Sequence, residues 1–217
     1  MDFERLYNFL RELERNNSKE WMDAHRKRYQ QVRTDLIHWL NDMDATLAAI
    51  DDGYYPTTGK KGINRINNNL MFHPHKPIYK DHFGAALDKA PGSADFYLEF
   101  GTQGSMLAGG FWRPEPKTLR SIRDALDYDG EEFKKILGKK SFKQTFGTLV
   151  EDEKLKTSPK GFSNDHPHID LLRQKTFAVI HRFSEAEVYR DNFEEKVIQV
   201  YREMLPFRRY LNQAVTV

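Results

Sequence analysis

Residues 53–80 contain no aspartate or glutamate, yet Lys60, Lys61, Arg65, Lys76 and Lys80 all fall there, with His73 and His75 beside them. Uncompensated positive charge of this kind draws phosphate, sulfate or carboxylate groups. On an extended segment Arg65, Asn67 and Asn69 project to one face, where an anion would meet a guanidinium and two amide donors. The competing reading is a solvated strand face whose lysines protect a sheet edge.

A second group runs Asp165, His166, Pro167, His168, Ile169, Asp170, followed by Arg173 and Lys175. Histidines two positions apart with acids on either side have the residue types of a zinc site. The same residues also read as a helix start, with Asp165 as cap and Pro167 in the first turn, which turns His168 and Asp170 to different sides. We expect no metal and no cofactor. His166 is the residue nominated for proton transfer, because the ordinary imidazole pKa lies near neutrality.

Phe83, Tyr97, Phe111 and Trp112 would either wall a base or sugar or pack as core. Asn16 and Asn17 suit a turn between helices, or a pair of amides aimed at a ligand. The chain has no GxxxxGK followed by Ser or Thr, no strand-placed GxGxxG, no HExxH and no GxSxG. It also has no cysteine, which excludes disulfides, thiolate metal sites and cysteine nucleophiles.

The elements that must position these groups follow from periodicity. Phe3, Leu6, Phe9, Leu10 and Leu13 form one helical stripe, broken at Asn16 and Asn17. Ser18 then caps a single long helix whose apolar positions run from Trp21 through His25, Tyr29, Val32, Leu36, Trp39, Met43 and Leu47 to Ile50. Phe96, Leu98 and Phe100 alternate with polar-faced neighbours, and a turn at residues 101–104 returns the chain as a second strand. Gly109 and Gly110 in that strand signal a bulge or a close approach. Residues 65–72 and 79–88 are expected as an earlier strand pair.

Pro116 suits a helix first turn, with Leu119, Ile122 and Leu126 facing inward; Phe133 to Leu137 and Phe142 to Phe146 mark two more short helices. Residues 175–183 read as a strand. Ser184 with Glu187 fits a capping box opening a C-terminal helix that Pro206 kinks or ends. The expectation is α+β, a single domain over 1–217. It is helical over 1–52, strand-rich over 63–112, helical and irregular over 114–174, then a strand and C-terminal helix over 175–213. Its mainly antiparallel sheet is packed by the long N-terminal helix, central helices and the C-terminal helix.

The 217 residues are 39% hydrophobic and 30% charged, with a net charge of +2, too small to mark the whole chain as a polyanion binder. The N-terminus mixes charges through its apolar positions, unlike a signal peptide, and no apolar run approaches the roughly 20 residues of a membrane span. A cytoplasmic location is expected, with no membrane partner.

Several segments taken together resemble a known family: "FLRELERNNSKEW" with "RKRY" after it, "RINNNLMF" and "KPIYKDHFG", "FYLEF", "GSMLAGGFWRPEP", and "PKGFSNDHPHIDLLRQKTF". Their order and spacing are similar to those of a bacterial and fungal family of conserved domains of unknown function, DUF2461. The resemblance implies one α+β domain and no assigned activity. The family pattern after Arg65 carries an Arg-Asp pair and a further Arg before the Phe, where this chain has Asn68, Asn69 and Met71. Any activity resting on those charges does not carry over. Arg65, Lys76, Tyr79, Lys80, Trp112, His166, Asp170 and Lys175 do match.

The expected function is therefore a soluble domain binding a small anionic or phosphorylated ligand, with no reaction assigned. In a site built from Arg65, Lys76, Tyr79, Lys80 and Trp112, Arg65 and Lys80 would hold the anion, Tyr79 would donate a hydrogen bond, and Trp112 would supply an apolar wall. Asp170 and Lys175 complete the ligand-binding set, and His166 is the catalytic nominee. A protein-interaction module is the alternative. A nucleic-acid binder is a further one, which the small net charge disfavours. The sequence leaves the oligomeric state open.

Overall fold

Asp2 opens the first helix, α1 (Phe3–Arg15), by accepting a hydrogen bond from the Arg5 N–H, and the expected stripe is buried together with Tyr7. Ser18 caps α2 (Lys19–Ala24) by accepting from Trp21 N. The expected single long helix is interrupted at His25 (φ −106°, ψ 15°), and α3 (Arg26–Ala48) follows. The break is local. The His25 ring stacks on Trp21 with centroids 4.1 Å apart, and its Nδ1 bonds the Trp21 carbonyl at 2.8 Å, adding to the backbone bond of 3.0 Å that His25 N already makes there. Past the break, α3 buries Val32, Leu36, Trp39, Leu40, Met43 and Leu47, the expected seam with Leu40 added.

The computed structural model describes residues 1–152 and 154–215. The fold is α+β, with a four-stranded antiparallel sheet of β1 (His82–Leu87), β2 (Asp95–Gly101), β3 (Gly104–Phe111) and β4 (Phe177–Phe183) in that order. Phe96, Leu98 and Phe100 are buried on β2, as their alternation required. Gly110 has φ +115°, and a Cβ there would lie 2.1 Å from the Phe177 carbonyl oxygen, so this position tolerates only glycine. The expected close approach is thus real.

The strand expected over 65–72 does not form. Two isolated antiparallel bridges replace it, Ile63 with Ala85 and Asn67 with Tyr79. Asn64 N donates to Gly84 O at 2.8 Å and Lys80 N to Ile66 O at 2.8 Å, so Arg65 alone faces the three residues Asp81, His82 and Phe83. That mismatch breaks the ladder. Beyond it the N–H groups of Phe72 and His73 both turn back to Asn69 O, and Pro74 and Pro77 have no N–H to offer a strand partner.

The remaining helices are α4 (Gly59–Gly62), which periodicity missed, then α5 (Pro116–Gly138), α6 (Lys140–Phe146), α7 (Ile169–Leu172), α8 (Glu185–Val188) and α9 (Phe193–Ala214). Pro116 begins α5 as expected, but the helix continues through a kink at Asp129 instead of ending before Phe133. The capping box of Ser184 and Glu187 forms, yet it closes only α8, and α9 starts separately. Pro206 does not end α9. A helix-interior proline costs about 3 kcal/mol. Fully burying Phe207 and Leu211 beyond it returns about 1.5–3 kcal/mol each, so packing carries the helix through.

Two compact units make up this fold. The first comprises Met1–Lys89, Tyr97–Leu107 and Arg182–Ile198, with Phe3, Trp39, Phe100 and Phe193 in mutual ring contact. The second comprises Ala90–Phe96, Ala108–His181 and Gln199–Val217, centred on Phe133, Phe142, Phe177 and Phe207. Among the described residues no helix is long and apolar enough to cross a membrane.

Candidate functional site

In the first unit, α2, α3 and residues 66–79 enclose a cavity of about 470 Å³. Met22, Ile66, Leu70 and Ile78 supply its apolar walls, and Lys19, Arg26, Tyr29, Asn67 and Tyr79 its polar ones. No carboxylate lines it. Arg26 is ion-paired to Asp23 at the surface, whereas the Lys19 ammonium has no hydrogen bond or ion pair among the described residues. Burial, above all, raises the Tyr29 phenol pKa; the nearby Arg33 and Arg26 partly oppose this, and the Tyr79 phenol adds to it. Tyr29 therefore stays a neutral donor at neutral pH.

Tyr79 is 5% exposed, and its backbone is clamped from the turn between α1 and α2. Tyr79 N donates to Asn17 Oδ1 at 2.9 Å, and Asn17 Nδ2 donates to Tyr79 O at 3.0 Å. The Asn17 amide thus stands in for a strand partner and works as a structural clamp, while Asn16 Nδ2 donates to Glu12 O at 2.9 Å and closes α1.

The acid-free segment places Arg65, Lys76 and Lys80 within electrostatic reach of one another. Burial lowers the Lys80 pKa first, Arg65 and Lys76 lower it further, and Glu99 opposes them. The Lys80 ammonium is already engaged, donating to Arg65 O at 2.5 Å and Asn67 O at 3.3 Å. Arg65 and Lys76 are exposed and have no side-chain partner among the described residues. None of these three cations lines the cavity; of the sequence-selected ligand residues, Tyr79 does.

The imidazole beside this segment is His82, which the sequence reading passed over. Its Nδ1 lies 2.8 Å from Asp81 Oδ1 and its Nε2 3.5 Å from Glu99 Oε2, while Tyr97 OH donates to Glu99 at 2.9 Å. The acid-free run ends one residue before Asp81, and that boundary is the only sequence mark of the group.

The other four selected residues belong to the second unit. Trp112 is 57% exposed, with the Arg113 guanidinium 5.9 Å from its ring centre. His166 Nδ1 accepts from His168 N at 3.0 Å, which leaves Nε2 to donate to Asp127 Oδ1 at 2.8 Å. Both ring nitrogens are thereby committed to holding the 165–168 turn on α5. The helix expected to start at Asp165 starts at Ile169, with His168 at the cap position. Asp170 lines a cavity of about 320 Å³ together with Lys143 and Lys154. Lys175 lines another of about 280 Å³ with Arg113 and Arg123. Among the described residues no group of three or more His, Asp or Glu is arranged to hold a metal ion.

Lys19 and Arg26 were not selected from sequence because charged residues on an amphipathic helix look like a solvated face, and Tyr29 was counted in the core-facing seam. Compared with known proteins, the chain matches the family model described as "Conserved hypothetical protein (DUF2461)" over residues 5–210. No curated protein and no solved structure matches it.

Proposed function

The chain belongs to the conserved hypothetical protein family DUF2461, and for this member we propose binding of a small organic anion, phosphorylated or carboxylated, in the cavity of the first unit. The observation that carries the reading is the composition of that lining: Lys19, Arg26, two phenols and one amide against four apolar side chains, with no carboxylate. A volume of about 470 Å³ suits a metabolite-sized molecule, since ligand pockets span roughly 300–1,000 Å³. Arg65 and Lys76, unpaired on the neighbouring acid-free segment, add a positive field that favours anion approach. The lining contains no histidine and no carboxylate, so binding is proposed without a reaction. A cytoplasmic location belongs to the same proposal, in keeping with the absence of cysteine.

The test is thermal denaturation with naphthyl phosphate, naphthoate and naphthol at matched concentrations. The two anions raise the melting temperature and the neutral alcohol does so less. The anion effect shrinks in Lys19→Ala and in Tyr79→Phe. Equal shifts for all three compounds, or anion shifts untouched by both substitutions, reject the reading.

A second reading, a protein-interaction module, is favoured by one feature. Leu70, Met71 and Phe72 are 37%, 81% and 69% exposed in consecutive positions. Light scattering on wild type and on Met71→Ser, Phe72→Ser tests it. Self-association that the double substitution abolishes supports this reading, and a monomer at all concentrations removes self-association from it.

A further inference from the structure

Arg123, on α5, is partly buried in the second unit and has no carboxylate partner among the described residues. Its Nε donates to Leu172 O at 2.8 Å and its Nη2 to Gln174 O at 3.1 Å, which fixes the guanidinium plane and leaves Nη1 without a bond. A partly desolvated cation without a counter-ion favours an anion as partner, and the free Nη1 is open to one. In accord with this, its pKa is pulled below the usual arginine range, by burial first and then by Arg120, another cation.

This guanidinium lines the cavity of about 280 Å³ that also takes in Arg113, Lys175 and Asp152, with Pro114, Leu119 and Leu155 as apolar walls. Of these, Arg123 is the cation whose charge no described carboxylate answers. The carboxylate of the lining is committed elsewhere: Asp152 receives two bonds from Arg113, each 2.8 Å, and a third from Thr176 Oγ1 at 2.9 Å. It serves Arg113, and Arg123 is left without a counter-charge.

We propose that this cavity is a second anion site, taking a small phosphate monoester. The phosphate sits on the Arg123 guanidinium, whose planar donors match its oxygens, and the ester's apolar group rests on Leu119 and Leu155. The negative charge of the ligand answers Arg123. The site shares no residue with the cavity of the first unit, so the two readings stand or fall separately.

The experiment is calorimetric titration of the full chain with phenyl phosphate in a Lys19→Ala, Arg26→Ala background, which removes the cations of the other cavity. Saturable one-to-one binding is expected, at least tenfold weaker for phenol and at least tenfold weaker after Arg123→Gln. Because Arg123→Gln also loses the bond to Leu172, circular dichroism checks its fold. Leu119→Trp is the second variant, filling the cavity while leaving every charge in place, and it too should abolish the heat. No saturable heat in the background protein overturns the proposal, as does undiminished binding in Leu119→Trp or in folded Arg123→Gln.

Discussion

The side-chain amide of Asn17 and the backbone of Tyr79, 62 residues apart, exchange two hydrogen bonds of 3.0 and 2.9 Å. This amide clamp holds one wall of the first cavity, because Tyr79 and Ile78 both line it. Asn17→Ala strands a partly buried N–H and a carbonyl, at about 1–3 kcal/mol for groups left unsatisfied. Urea denaturation should show a lowered midpoint with an unchanged slope. Asn17→Asp keeps the acceptor and loses the donor, so its midpoint should fall between the two.

Gly130 and His168 form a steric pair. A Cβ at Gly130 would lie 2.5 Å from His168 Cδ2 and 2.6 Å from Cγ, so the ring and the helix backbone touch directly. Gly130→Ala gains up to about 1 kcal/mol of helix propensity. It loses about 1–3 kcal/mol by overpacking, and the loss wins. In a His168→Ala background the clash is gone and the same substitution should stabilise. A double-mutant cycle read by thermal melting separates the two effects.

His168 also sets a pH dependence. Its side chain is 7% exposed in residue terms, and burial foremost, with Lys134 and His166 adding to it, holds its pKa below the usual 6.5; Glu131 and Asp127 oppose this. Protonation is thus harder in the folded than in the unfolded chain. The stability it confers is present above pH 6.5 and is lost as the pH falls through the folded-state value. Melting temperature should drop as pH is lowered from 7.5 through 6.5 toward 5, before carboxylates titrate. His168→Gln should flatten that part of the curve. An unaltered slope in the variant assigns the acid sensitivity to other groups.

Where structure is set by neighbours in sequence, the chain was readable. The α1 and α3 stripes, the Ser18 and Ser184 caps, the β2–β3 hairpin and the close approach at Gly110 all follow from spacing or from a glycine with one physical use. The misreadings have different causes: an unequal residue count breaks the ladder at Arg65, and side chains bond the backbone at two helix boundaries. At the break between α2 and α3 the His25 ring folds back onto Trp21, and His166 takes the His168 N–H ahead of α7. At Pro206 the helix does not end, since burial beyond it outweighs a strong local signal.

The candidate site was legible by half. The acid-free run adjoins the first unit's cavity and Tyr79 lines it, but the cations of that lining, Lys19 and Arg26, come from helices whose outward polar residues carry no distinguishing pattern. Four of the selected residues lie in the second unit, where Arg123 was hidden for the same reason. A charged residue on a helix reveals its purpose only when its partner, or the want of one, is known.

Lys80 gives the sharpest separation of structural from ligand-binding cations. Its ammonium bonds two backbone carbonyls at the broken ladder, and it is repelled by Arg65 and Lys76. Removing it with Lys80→Met relieves that repulsion but leaves the carbonyls of Arg65 and Asn67 to water. Each such bond contributes about 0.5–1.5 kcal/mol net, more when charge-assisted, whereas repulsion between exposed charges is a few tenths and screened by salt. The bonds win, so Lys80→Met should lower stability by about 1–2 kcal/mol. Arg65→Ala, which removes an unpaired side chain, should leave it unchanged within about 0.5 kcal/mol. Urea titrations of the two variants at low and high salt decide this: the Lys80→Met deficit should persist in salt, and a deficit that disappears there would mean the ammonium acts through long-range charge alone.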